Sequence, residues 1–207
     1  MSKNATFAQR NCILLFYKKM NIAIFASGSG TNFQQISEYF ASDEHHSVTL
    51  LLCNNKDAYV LERAKVLNIK SGIINNKDLK NPDGVLKMLK DEQIDFIVLA
   101  GFLLLVPEII VDAYNNRIVN IHPALLPRFG GKGMYGEHVH RAVIASGEKE
   151  SGITIHYVNN KYDSGQIICQ AKCTIESDDT PETLAGKIHR LEKEYYPKVV
   201  KQLVDAI

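Results

Sequence analysis

From Asn21 onward the sequence keeps returning to one unit, a short apolar run followed by a longer stretch with helical spacing. That rhythm restricts the fold more than any other feature. The apolar runs are Asn21 to Ala26, Val48 to Cys53, Lys70 to Ile74, Phe96 to Ala100 and Ile118 to His122, and they read as strands. Between them Phe33, Ile36 and Phe40, then Val60, Ala64 and Leu67, then Val85, Leu86 and Leu89 recur at helical spacing. Strands separated by helices run parallel and are covered on both faces, so Phe96-Ile97-Val98-Leu99-Ala100 is apolar without alternation. After about Gly147 the rhythm changes, because Gly152 to Val158 and Gln166 to Thr174 are strands parted only by a turn, which is the pattern of a β-hairpin. Thr180 as a cap, Pro181 in the first turn, and Leu184, Ile188 and Leu191 on one face define a closing helix. The expected fold class is α/β, a doubly wound, mostly parallel central sheet with a C-terminal antiparallel β-hairpin and a closing helix.

A chain of 207 residues, 45% hydrophobic, fits one domain with a sizeable core. Residues 1–19 carry Lys3, Arg10, Lys18 and Lys19 and no acid, and are expected to stand outside the fold as an N-terminal extension; residues 20–207 form the single domain. Without those four cations the remainder holds 20 basic against 23 acidic residues, which gives no electrostatic basis for nucleic-acid binding. Cys12, Cys53, Cys169 and Cys173 are scattered with no C-x-x-C pair, as in a reducing, cytoplasmic compartment. The longest apolar run, Ile97 to Val106, falls short of the roughly 20 residues that cross a bilayer, so no membrane partner is expected.

The first strand ends in Ala26-Ser27-Gly28-Ser29-Gly30-Thr31-Asn32 directly before a helix, where small residues let backbone amides face a phosphate. A glycine turn needed only for close packing has the same spelling. The dinucleotide fingerprint wants a third glycine where Phe33 stands and an acid where Asn54-Asn55 stands, which disfavours a nicotinamide cofactor. Asn120 and His122 leave one face of one strand near its carboxyl end, where open α/β sheets place ligands. An amide can stabilise a developing oxyanion and an imidazole can move protons at neutral pH. The pair alone is equally compatible with a histidine satisfied by backbone groups. Asp163, in Asp163-Ser164-Gly165, reads by itself as a turn residue capping its own backbone.

The run Asn120-Ile121-His122-Pro123-Ala124-Leu125-Leu126-Pro127-Arg128-Phe129-Gly130-Gly131, with the Ser-Gly-Ser-Gly-Thr-Asn turn, Leu99-Ala100-Gly101-Phe102 and Asp163-Ser164-Gly165, resembles the folate-dependent formyltransferases over about residues 20–200. Within them it is most similar to the branch acting in purine synthesis. The resemblance implies the formyltransferase fold, 10-formyltetrahydrofolate as donor, the amine of glycinamide ribonucleotide as acceptor, direct amine attack through a tetrahedral intermediate, and no metal. It implies Asn120, His122 and Asp163 as the catalytic trio, and Gly28, Ser29, Gly30, Thr31 and Asn32 as the phosphate site. It further implies Glu192 against the ribonucleotide, although the residue alone reads as an exposed helical carboxylate. Folate is implied against Leu103, Leu104, Leu105 and Val106 and against Asn159 and Asp163, with Leu104 standing where many relatives carry an arginine. Thr154 and His156 are implied to face the site.

The segment Gly131 to Glu137 is longer and richer in glycine than in many relatives, as in a flap over the site. Among the other histidines, His138 and His140 form a His-x-His pair with no acid or cysteine placed to complete a metal site. His45, His46 and His189 are expected at the surface, with His189 one turn before Glu192 and within approach of the phosphate. Cys169 and Cys173 are expected to pack as small apolar groups. A tRNA formyltransferase or a formyltetrahydrofolate hydrolase would need a further domain. The remaining alternatives are an N-formyltransferase acting on an amino-sugar nucleotide, a non-catalytic nucleotide-binding regulator and a nicotinamide oxidoreductase. Small-molecule substrates are the expected partners, with the chain a monomer or homodimer.

Overall fold

The computed structural model describes residues 19–207. Cys12 and the expected extension, apart from Lys19, lie outside the described residues. Among the described residues seven strands form one sheet: β1 (Met20–Ala26), β2 (His46–Cys53), β3 (Lys70–Ile73), β4 (Phe96–Leu99), β5 (Ile118–His122), β6 (Glu150–Tyr157) and β7 (Ile167–Thr174). Their order is β3-β2-β1-β4-β5-β6-β7. The first five are parallel, and β6 and β7 are added antiparallel to β5 and to each other. The helices are α1 (Thr31–Phe40), α2 (Val60–Val66), α3 (Asn76–Lys80), α4 (Lys87–Asp91), α5 (Glu108–Ala113), α6 (Glu137–Ala145) and α7 (Pro181–Asp205).

Strand alternation divides the core in two. Ile22, Ile24 and Ala26 of β1 face Phe33, Ile36, Val60, Val143 and Ile188, whereas Ala23 and Phe25 face Leu79, Val85, Leu89 and Ile110. Both faces are covered, as the unbroken apolar run of β4 requires. The helical spacing around Val85 to Leu89 is real, but the backbone kinks at Gly84, whose φ −93°, ψ −117° is not helical, so α3 and α4 are two short pieces rather than one helix.

The chain leaves β1 toward one face and β4 toward the other, which opens a crevice at the carboxyl ends of these neighbours, the topological switch point. Helix α7 closes the sheet beside it. It begins with a reciprocal capping box between Thr180 and Thr183 and Pro181 in the first turn. At its centre the fully buried Tyr196 hydroxyl donates to the Leu99 carbonyl at 2.8 Å and lies 3.4 Å from that of Val119. His46, expected at the surface, is instead buried, because Nδ1 accepts from Met20 N at 3.3 Å and Nε2 meets Asp205 of α7 at 2.9 Å. Cys169 and Cys173 pack against the core as expected.

Tyr196→Phe keeps the ring but removes the donor over β4 and β5, and should lower unfolding free energy by about 1–2 kcal/mol in urea titrations. An unchanged midpoint would mean that the hydroxyl does not help hold α7 in place.

Candidate active site

A cavity of about 660 Å³ occupies the switch-point crevice. The turn Gly28 to Asn32, the β4 loop with Leu103 to Val106, the end of β5, the Gly131 to Gly136 loop, the β6–β7 turn and one face of α7 all line it. Asn120, His122, Asp163, Glu192 and Asn159 are among its walls. All the residues singled out as catalytic, substrate-binding or cofactor-binding are thereby gathered around one space.

The three polar side chains at its centre come from different parts of the fold. Asn120 and His122 stand two apart on β5, while Asp163 arrives on the β6–β7 turn in a left-handed conformation, φ +50°. That turn closes tightly, for a Cβ on Gly165 would fall 1.7 Å from the Tyr157 carbonyl. The Asp163 carboxylate is not spent on capping its own turn. Asn159 does that work, accepting from Lys161 N at 2.9 Å and Ser164 Oγ at 3.0 Å. Asp163 Oδ2 instead accepts from Gly131 N at 2.8 Å and lies 3.5 Å from His122 Nδ1, and Oδ1 lies 3.5 Å from Asn120 Nδ2.

The imidazole tautomers follow from their carbonyl partners. His122 Nε2 lies 2.7 Å from the Phe129 carbonyl, which can only accept, so Nε2 carries the proton and Nδ1 is the basic nitrogen. His156 Nδ1 lies 2.8 Å from the Tyr157 carbonyl, so its Nε2 is the acceptor for the Asn120 amide at 3.1 Å. His156 reaches Asn120 because the two pair directly across the antiparallel β5–β6 ladder. One Asn120 N–H is thereby fixed. The other, with only Asp163 at 3.5 Å, lies beyond good hydrogen-bond range and can turn to a ligand oxygen.

Burial pushes His122 below its ordinary 6.5, although Asp163 and the Phe129 carbonyl work against that. Burial also acts to raise Asp163, but the His156 and His122 rings and the Gly131 N–H outweigh it and hold the carboxyl below its usual range. At neutral pH the site holds a neutral imidazole beside an ionised carboxylate.

Thr154 does not face the cavity. It is fully buried, donates to the Ala124 carbonyl at 2.7 Å and accepts from Leu126 N at 3.0 Å and Gln170 at 2.9 Å, which fixes the loop after His122. Glu192 is not an exposed carboxylate either. It is 9% exposed and accepts from Asn32 at 3.1 Å, joining α7 to the first residues of α1, and burial raises its pKa. Leu103 and Leu105 present apolar side chains at the mouth, where Leu104 adds no charge. Asn54, at the place a dinucleotide fold keeps an acid, accepts from Ser27 Oγ, which itself accepts from Leu103 N at 2.9 Å. Among the residues that sequence reasoning did not assign to the site, His140 lines the cavity at 5% exposure with no partner for Nδ1. His189 lines it from α7. Among the described residues no group of three or more metal-ligating side chains is gathered, and no helix is long and apolar enough to cross a membrane.

The family model described as formyl transferase matches residues 20–200. The chain belongs to the formyl transferase family. It is 41% identical over 189 residues to the chloroplastic phosphoribosylglycinamide formyltransferase of Arabidopsis thaliana, spanning 88% of this chain but 65% of that longer protein. Against the phosphoribosylglycinamide formyltransferase of Bacillus subtilis the identity is 37%, with 88% of this chain and 93% of the relative covered. A crystal structure of the phosphoribosylglycinamide formyltransferase from Bacillus halodurans superposes with a TM-score of 0.80 at 40% identity, covering 89% and 95% of the two chains. The mostly parallel sheet with its antiparallel C-terminal strands is thus the formyl transferase fold, as expected.

For this formyl transferase, an NMR titration of the His122 ring should give a pKa below 6.5. Asp163→Asn keeps a residue that tolerates the left-handed turn but removes the nearby negative charge, and should lower the His122 value further. A His122 value at or above 6.5, or one unmoved by Asp163→Asn, would contradict this electrostatic picture.

Proposed function

We propose that residues 20–207 act as one domain that transfers the formyl group of 10-formyltetrahydrofolate to the amine of glycinamide ribonucleotide. The observation that carries this reading is the meeting of Asn120, His122 and Asp163 at the wall of a cavity that the glycine turn also lines. Relatives named phosphoribosylglycinamide formyltransferase supply the substrate class.

The phosphate monoester of the acceptor lies on the backbone amides of Gly28 to Asn32 at the start of α1, where the helix dipole favours an anion. Glu192, held by Asn32, accepts from the ribose hydroxyls. The folate lies along Leu103 to Val106 and the loop from Asn159 to Asp163, its ring against apolar side chains and its polar edge toward backbone groups. This arrangement brings the two reactants together beside β5.

The acceptor amine attacks the formyl carbon, forming the C–N bond, and the carbonyl π pair moves onto oxygen. The loosely held N–H of Asn120 donates to that oxyanion. His122 takes the ammonium proton at Nδ1, which is possible because burial keeps the ring neutral and its Nε2–H is already committed to Phe129. The imidazolium so formed is stabilised by Asp163 at 3.5 Å. Delivery of that proton to the folate nitrogen accompanies cleavage of the original C–N bond, leaving tetrahydrofolate and the formylated amine. Neither step calls on a metal or a nicotinamide.

The direct test mixes purified protein with 10-formyltetrahydrofolate and a panel of amines, following folate product by absorbance. Turnover with glycinamide ribonucleotide is expected; turnover only with an amino-sugar nucleotide, or with none, would contradict the reading. His122→Ala should lower kcat at least a hundredfold, about 2.7 kcal/mol of transition-state stabilisation, with the fold intact by circular dichroism. Near-normal kcat would reject its role in proton transfer.

A further inference from the structure

A turn that binds an anion must present N–H groups to the cavity and turn its carbonyls away, since a carbonyl oxygen there would repel the ligand. In the turn from Gly28 to Gly30 all three carbonyls are taken. Gly28 O accepts from Val60 N at 3.2 Å, Ser29 O from Arg63 Nε at 2.8 Å, and Gly30 O from Gln34 N at 3.0 Å. Gly30 itself has φ +77°, and a Cβ there would lie 2.3 Å from Val60 Cγ2, so α2 packs directly behind the turn. The glycine is thus required by packing, and that same packing sets the turn's direction.

Of the three donors, two belong to helical backbone and only Arg63 is a side chain. Its guanidinium is well anchored, since Nη1 donates to Gln34 Oε1 of α1 and its central carbon lies 5.0 Å from the centroid of the Tyr59 ring. Among the described residues no carboxylate forms an ion pair with it, and it does not line the cavity. A positive charge therefore stands behind the turn, bonded to the carbonyl at its centre and paired with no carboxylate among the described residues.

We propose that Arg63 is a positioning residue for the anion subsite. Its Nε–H holds the Ser29 carbonyl outside the cavity, so that the following amides face inward, and its charge favours a phosphate monoester that it never touches. The inference rests on reading the turn as the acceptor's phosphate site, and it extends the site to a residue on α2.

The test uses the full chain and ribose 5-phosphate, which carries the monoester without the reacting amine, in a calorimetric titration. Wild type should bind it. Arg63→Met should weaken binding about tenfold, the scale expected for losing a charge-assisted hydrogen bond. Arg63→Lys, which keeps the charge on a less rigid donor, should stay within about threefold of wild type. In turnover, Arg63→Met should raise the acceptor KM by a similar factor while the folate KM and kcat stay within about twofold. If Arg63→Met fails to fold, Arg63→Gln, which retains a neutral donor on a polar stem, carries the same comparison. Wild-type affinity in the variant, or equal rises in both KM values with a lowered Tm, overturns the inference and leaves the phosphate assignment standing. Failure of wild type to bind ribose 5-phosphate overturns both.

Discussion

The carboxylate of Asp163 is the point on which the site closes. Its side chain is 11% exposed, and burying an ion at that depth costs free energy that polar partners must offset. The Gly131 amide donates to it at 2.8 Å, the rings of His122 and His156 stand 3.5 and 3.7 Å from it, and each comes from a different segment. Meeting the needs of one charge therefore draws the loop after β5, the end of β5, the β6 strand and the β6–β7 turn into a single arrangement. The left-handed backbone of Asp163 is part of the same constraint, since it aims the carboxylate across the turn rather than into it.

The junction of parallel and antiparallel sheet divides the labour. The parallel half ends in a glycine turn and a helix N-terminus, which suit a phosphate. The antiparallel addition lays His156 opposite Asn120 and so fixes one N–H of its amide. Within the parallel half, Ser27 ties together the loops after β1, β2 and β4, with its backbone N–H on Gly101 O and its hydroxyl between Asn54 and Leu103. Helix α7 covers both, placing Glu192 against Asn32 and Tyr196 against the β4 and β5 carbonyls.

Much of this could be read from the sequence because it is written in local period and turn chemistry. The five parallel strands, the late hairpin, the Thr180 cap and the shared face of Asn120 and His122 all follow from spacing alone. What escaped depends on contacts between distant segments. Glu192 reads as a surface acid because its partner Asn32 is 160 residues away, and His46 reads as exposed because Asp205 and Met20 meet it only in the folded chain. Thr154 and His156 share one strand face, yet one secures a loop and the other orients an amide. Nothing in their spacing separates the two roles. Arg63 lies in an ordinary helix, where a cation carries no distinctive pattern, and His140 stands out only as half of a His-x-His pair.

We propose that an amide, an imidazole and a carboxylate surround one carbonyl carbon, with the phosphate turn lining the same cavity. A crystal structure with glycinamide ribonucleotide and a non-transferring analogue of 10-formyltetrahydrofolate tests it most directly. The formyl oxygen should lie about 3 Å from the Asn120 amide nitrogen, with the acceptor amine near His122 Nδ1 and the phosphate on the amides of residues 28–32. A phosphate bound elsewhere, or a formyl carbon out of reach of Asn120 and His122, would contradict the account.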